Sequence, residues 1–152
     1  MPFFETQNFE SIEYQENSTI DFPHGLPGFE ERRRFVALTF PDSRPLVFLQ
    51  SLEDPGLCFV SLPVLSIDRD YRLEMCEEDL VWLGLPPERQ PRIGEEVACL
   101  AILTLQASGP TANLLAPIVI NIADLKAVQA IVPESGYSHQ HVLSPAEATI
   151  CS

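Results

Sequence analysis

The sequence predicts an all-β fold, mainly antiparallel, arranged as a small β-barrel-like single domain with one or two short helices. Fourteen prolines in 152 residues cut the chain into short pieces. Most of these pieces are rich in Val, Ile, Phe, Thr and Leu, which is the signature of many short strands. Several runs are apolar without alternation, as strands are when both of their faces are covered. The length allows one domain, and a 45% apolar composition is enough to bury a core.

In chain order, strands are expected at residues 9–14, 18–22, 35–40, 46–51, 57–62, 71–75, 97–105, 112–115, 117–122 and 128–132. Tyr71, Leu73 and Met75 alternate with Arg72 and Glu74, a period of two that exposes one face. The runs at 35–40, 57–62 and 97–105 lack that alternation and read as buried on both faces. Glu53-Asp54-Pro55-Gly56 reads as the turn between two strands. Adjacent carboxylates there would point to opposite faces and would not share a substrate.

Helix signals are few. Glu77, Glu78 and Asp79 precede Leu80-Val81-Trp82-Leu83, where a helix dipole favours carboxylates, and Gly84 with Pro86-Pro87 stops the turn. Ser144-Pro145-Ala146-Glu147 has the spacing of a capping box. The domain is therefore expected over residues 1–143, with 144–152 a short tail, one helical turn or disordered.

Charge narrows the function. There are 22 acidic and 9 basic residues, a net charge of −13. Acids number 8 in residues 1–52, 11 in 53–96 and 3 in 97–152, so an acidic patch belongs to the first two thirds. Direct nucleic-acid binding is disfavoured, because that affinity comes largely from Lys and Arg on phosphate. An anionic membrane is disfavoured for the same reason, while a basic partner would be attracted. The longest apolar run, 97–105, falls short of the ~18 residues of a membrane helix, and no secretory signal is evident. A cytoplasmic location is expected.

Cys58, Cys76, Cys99 and Cys151 are too far apart for a CxxC motif and read as reduced, structural thiols. His139-x-His141, with Glu134 or Cys151 as further ligands, is a weak metal pattern, and solvent-exposed histidines are the expectation. Arg32-Arg33-Arg34, following Glu30-Glu31, reads as a solvated turn with local ion pairs. No nucleophile elbow, zinc-protease helix or glycine-rich nucleotide loop is present. The expectation is no enzyme, no metal and no cofactor. The alternative is a small-molecule-binding or enzymatic β-barrel with an unrecognised pocket.

Two segments stand out. Phe22-Pro23-His24-Gly25-Leu26-Pro27-Gly28-Phe29-Glu30 packs turn-forming Pro and Gly between aromatic residues. It reads either as a structured connector pinned by its phenylalanines or as a contact loop. Asn113-Leu114-Leu115-Ala116-Pro117-Ile118-Val119-Ile120-Asn121 sets two asparagines around an apolar strand started or broken by Pro117. Each Asn serves either to satisfy local backbone groups or to touch a partner.

Those segments, preceded by Ile20-Asp21 and joined by Phe48-Leu49-Gln50-Ser51, Asp54-Pro55, Gln129 and Tyr137, resemble the bacterial flagellar assembly factor FliW family, collinearly over residues 9–143. One departure is Ala127, where the family often has Gly, a residue that would permit positive φ. The resemblance implies a non-enzymatic, chaperone-like β-barrel protein. It would bind flagellin in the cytoplasm and, when free, the translational regulator CsrA, relieving repression of flagellin translation. On the matching positions the resemblance offers Phe22, Gly25, Pro27, Gly28, Gln50, Asn113, Leu114, Pro117, Asn121 and Gln129 as partner-binding residues. The charge pattern adds Glu77, Glu78 and Asp79.

Overall fold

In a computed structural model of the chain, residues 3–5, 11–13, 18–131 and 136–143 are described. β1 (Phe3–Glu5) and β2 (Ser11–Glu13) form a two-stranded antiparallel sheet of their own. The main sheet has nine strands: β3 (Ile20–Asp21), β4 (Arg34–Leu38), β5 (Val47–Ser51), β6 (Cys58–Pro63), β7 (Val97–Gln106), β8 (Gly109–Ala112), β9 (Ile118–Asn121), β10 (Ala127–Gln129) and β11 (His141–Val142). Its spatial order is β10-β9-β7-β6-β5-β4-β3, with β8 and β11 branching from the far half of β7. All its ladders are antiparallel.

The ladder does not close into a barrel, but its ends meet. An isolated parallel bridge joins Asp21, in β3, to Lys126, just before β10, and the Asp21 N–H donates to the Leu125 carbonyl at 2.9 Å. That turn bears on Ala127. Ala127 is buried in β10 opposite Ile120, and the positive φ of the turn falls on Leu125, at 60°. The conformation that a Gly at 127 would permit is therefore taken two residues earlier.

Both faces of the sheet are covered, as the unbroken apolar runs require. Along β7, Val97, Cys99 and Ala101 enter one core, while Leu100 enters a second with Ala98 and Ile102 packed against it. β9 divides the same way, Val119 to the first core and Ile118 and Ile120 to the second. The first core is covered by α1 (Val64–Ile67), α2 (Glu77–Trp82) and Tyr71, Leu73 and Met75. The second is closed by Ile20, Phe22 and Leu26, with Phe22 edge-on to Phe35 at 5.3 Å between ring centroids.

α2 forms where the carboxylates predict it, and it stops for an identifiable reason. Gly84 has φ +73°; its N–H donates to Val81 and that of Leu85 to Leu80, satisfying carbonyls the helix end leaves open.

Two strand expectations are corrected. Residues 71–75 bury Tyr71, Leu73 and Met75 and expose Arg72 and Glu74, as the alternation says, yet they join no ladder. Side chains supply the hydrogen bonds instead. Gln90 accepts from the Met75 N–H at 2.7 Å and donates to its carbonyl at 3.0 Å, and the Tyr137 hydroxyl accepts from the Arg72 N–H at 2.9 Å. The strand expected at 112–115 lies earlier, at Gly109–Ala112, because Leu105 pairs with Pro110 and Gln106 with Gly109 across a tight hairpin. β1, α1 and β11 are additional to the expectation. The tail, residues 144–152, and the ends of the strands expected at 9–14 and 128–132 lie outside the described residues.

Candidate functional site

The 22–30 loop is two consecutive turns. The Gly25 N–H donates to the Phe22 carbonyl at 2.8 Å, and the Phe29 N–H donates to Leu26 at 2.7 Å. In the second turn Pro27 presets the first central residue and Gly28, at φ +86°, supplies the positive φ of the second, a type II arrangement. Gly25, at φ +65°, is closer packed: a Cβ there would lie 2.5 Å from the Cα and carbonyl oxygen of Glu30. Phe22 is fully buried, so the loop hangs from the second core while Pro27, Gly28 and Phe29 face solvent. Phe29 stacks edge-on against Phe59 at 5.5 Å, and His24 against Trp82 of α2 at 4.1 Å.

Two clefts meet at this loop. The first, about 270 Å³, is lined among others by Leu26, Pro27, Phe29 and Phe59 on its apolar side and by Gln106, Asn113, Gln129 and Gln140 on its polar side. The second, also about 270 Å³, lies between His24, Gly25, Pro27 and Glu30 on one wall and Asp79, Val128 and Gln129 on the other. Pro27 and Gln129 border both. The fold thus brings together Gly25, Pro27, Asn113, Gln129 and Asp79, with Gly28 exposed at the loop tip. Glu77 and Glu78 stay exposed on α2.

The other proposed residues, Gln50, Leu114, Pro117 and Asn121, are buried, and Asn113 and Gln129, half-buried at the clefts, also bond internally. Asn121 donates to the Leu83 carbonyl at 2.6 Å and accepts from the Ala123 N–H at 2.9 Å, tying the end of α2 to β9. Asn113 accepts from the Ala116 N–H at 2.9 Å, and Gln129 donates to the Ala116 carbonyl at 3.0 Å. The Leu114 carbonyl receives the Tyr71 hydroxyl at 2.6 Å. Pro117 and Leu114 are buried. Gln50 is fully buried and donates to the Ser51 carbonyl at 3.0 Å, holding the 51–57 turn down.

That turn also anchors the arginine run. One Glu53 carboxylate oxygen accepts the Arg33 and Arg34 N–H groups, at 2.6 and 2.9 Å. Desolvation pushes the Glu53 carboxyl up, but those two bonds and the charges of Arg32 and Arg34 outweigh it and hold it below the usual range. Arg32 pairs with Asp54 at 3.7 Å, so its ion-pair partner comes from the next turn of the chain.

Elsewhere, Arg89 clasps Glu96 through two bonds of 2.8 Å. These, with the Arg92 N–H, bring the Glu96 carboxyl down to about 2. Burial raises the Cys58 and Cys99 thiols to about 11 and 12, which keeps both in the neutral thiol form at neutral pH, and Cys58, Cys76 and Cys99 are free thiols. His139 is exposed and His141 half-buried; Glu134 and Cys151 lie outside the described residues. Among the described residues no three His, Cys, Asp or Glu side chains converge as a metal site, and no helix is long and apolar enough to cross a membrane.

The arrangement suits recognition of a chain rather than bond-making: hydrogen-bonding amides over an apolar floor, beside a carboxylate-bearing cleft. Thr104, Gln106, His139 and Gln140 also line the first cleft. Nothing in the sequence marks them as partner-binding, because the fold alone gathers them from two separate segments, β7 and the stretch before β11.

Comparison with known proteins gives one answer. The FliW protein family profile matches residues 4–143. A flagellar assembly factor FliW of Thermosipho africanus is 39% identical over 88% of this chain and 90% of that relative. One from Clostridium botulinum is 31% identical over 94% and 97%, and one from Bacillus licheniformis 34% identical over 87% and 90%. A crystal structure of the flagellar assembly factor FliW superimposes with a TM-score of 0.81 at 33% identity, covering 96% of this chain and 99% of that one.

Proposed function

Because the chain belongs to the FliW family of flagellar assembly factors, which are not enzymes, we propose that it binds flagellin in the cytoplasm and, when free of it, binds the regulator CsrA and relieves repression of flagellin translation. The observation that carries this reading is the match through residues 4–143, which takes in both turn-rich motifs and the strands between them. Flagellin that has not yet left the cell would occupy the protein and leave CsrA to repress. As flagellin is exported, the freed protein would withdraw CsrA, and synthesis would resume.

Charge gives the CsrA complex a physical signature. An RNA-binding regulator meets phosphate through Lys and Arg. This chain carries −13, densest over residues 53–96, where α2 opens with Glu77, Glu78 and Asp79. Long-range attraction acts on the approach of two proteins and is screened over ~8–10 Å at ordinary ionic strength. Stopped-flow mixing with CsrA at several salt concentrations should show association slowing markedly as salt rises and dissociation changing much less. No binding at low salt would overturn the proposal.

A further inference from the structure

The ladder between β6 and β7 stops early. Ser61 lies opposite Ile102, Leu62 opposite Ala101 and Pro63 opposite Leu100, yet β6 begins at Cys58 and β7 runs on to Gln106. Beyond the junction, among the described residues, Cys58, Phe59 and Val60 pair only with β5, and Leu103 to Gln106 only with β8. Among the described residues the two strands therefore diverge, each with an edge open toward the other.

Alternation of the backbone identifies the groups on those edges. The Asn113 N–H donates to the Ile102 carbonyl at 2.9 Å, so Ile102 directs its polar groups to the β8 side and Leu103 and Leu105 direct theirs toward β6. Ser61, opposite Ile102, bonds away from β7, which leaves Cys58 and Val60 facing the gap. The gap opens into a cavity of about 360 Å³ lined by Cys58, Val60, Leu103, Leu105 and Pro110, with no charged side chain. Phe59 and Thr104 line this cavity and the amide-rich cleft as well, so the gap has an apolar chamber on one face and a hydrogen-bonding one on the other.

Open edges on an uncharged cavity select a particular occupant. A strand supplies backbone donors and acceptors at the right repeat and sends alternate side chains to opposite faces. Charge selects its flank: Phe29, on the polar cleft, also borders a depression lined by Glu30, Glu31 and Asp54 against the single cation of Arg32. We propose that the β6–β7 gap is a docking site for an extended segment of a partner protein, uncharged where it lies in the gap and basic at one end. The segment pairs as an added strand with the open edges of β6 and β7. It places apolar side chains against Val60, Leu103 and Leu105, hydrogen-bonding ones among Gln106, Asn113 and Gln129, and a basic residue at the Glu30–Asp54 end.

The test uses phage-displayed random nine-residue peptides selected on the purified full chain, with the best sequence then synthesised. The expected consensus alternates apolar residues with Ser, Thr, Asn or Gln and carries Lys or Arg at one end. Binding of that peptide should slow hydrogen exchange of the Cys58, Val60 and Leu105 amides at least tenfold. Leu105 is 76% exposed, so Leu105→Lys should leave the melting temperature unchanged while weakening the peptide at least tenfold. Methylating alternate backbone nitrogens of the peptide should do the same. The proposal is overturned if no sequence is enriched, if protection falls elsewhere, or if backbone methylation is without effect. Concentration-dependent protection of those amides without peptide would overturn it too, and would assign the gap to a second copy of the chain.

Discussion

Gly25 and Gly28 both have positive φ, but they should not be equally replaceable. Placing an L side chain in that region costs roughly 1–2 kcal/mol at either site. The gain from a stiffer unfolded chain, ~0.4–1 kcal/mol, also applies to both and cancels in the comparison. What differs is space. At Gly28 no heavy atom lies within 4 Å of a built Cβ, whereas at Gly25 the Glu30 backbone stands at 2.5 Å and has no flexible end to swing aside. Overpacking of that kind adds about 1–3 kcal/mol. Gly25→Ala should therefore be less stable than Gly28→Ala by ~1–3 kcal/mol, or roughly 2–4 °C in Tm for each kcal/mol at this chain length. Urea titration followed by fluorescence is a direct assay, because Trp82 is the only tryptophan and its ring lies 4.1 Å from His24 in the loop. Equal costs, or a larger one at Gly28, would refute the packing account of the loop.

Two further outcomes follow from single side chains. Asn121→Ala removes the donor to the buried Leu83 carbonyl and should cost ~1–3 kcal/mol, with Trp82 fluorescence shifting as the end of α2 loosens. Unchanged stability would mean that Leu83 finds another donor. Glu96 has its pKa depressed from 4.5 to about 2, so its contribution is present above 4.5 and is lost as pH falls toward 2. Glu96→Gln should accordingly lower stability at neutral pH, and the difference from the parent should shrink through that window. A difference independent of pH would show that the charge on Glu96 is not what matters.

Much of the fold was legible because the signals were periodic. The unalternating run at 97–105 became the strand that feeds both cores, and the carboxylates before Leu80 marked the start of α2. Tyr71, Leu73 and Met75 were correctly read as buried, but burial period alone does not say who supplies the hydrogen bonds; Gln90 and Tyr137 do so from other segments. The Gly109-Pro110 pair looks like a turn, yet Pro110 fits β8 because its missing N–H falls on the side away from β7. The hydrogen-bonded pairs to β7 belong to Gly109 and Thr111. The clefts were legible only in part. Pro27, Gly25, Asn113 and Gln129 came from the family resemblance, whereas Gln106, His139 and Gln140 join them only through the hairpin at β7 and β8 and the return of the chain through β11.

The central claim is that one protein alternates between flagellin and CsrA, and RNA bound by CsrA reports it directly. CsrA, its flagellin-message RNA and this chain are mixed at low salt, and flagellin monomer is then titrated in while RNA binding is followed by anisotropy. The account predicts that the chain lowers RNA binding by CsrA and that flagellin restores it stoichiometrically, as linkage between mutually exclusive complexes requires. RNA binding that stays low when flagellin is saturating, with all three proteins eluting together in size-exclusion chromatography, would contradict it.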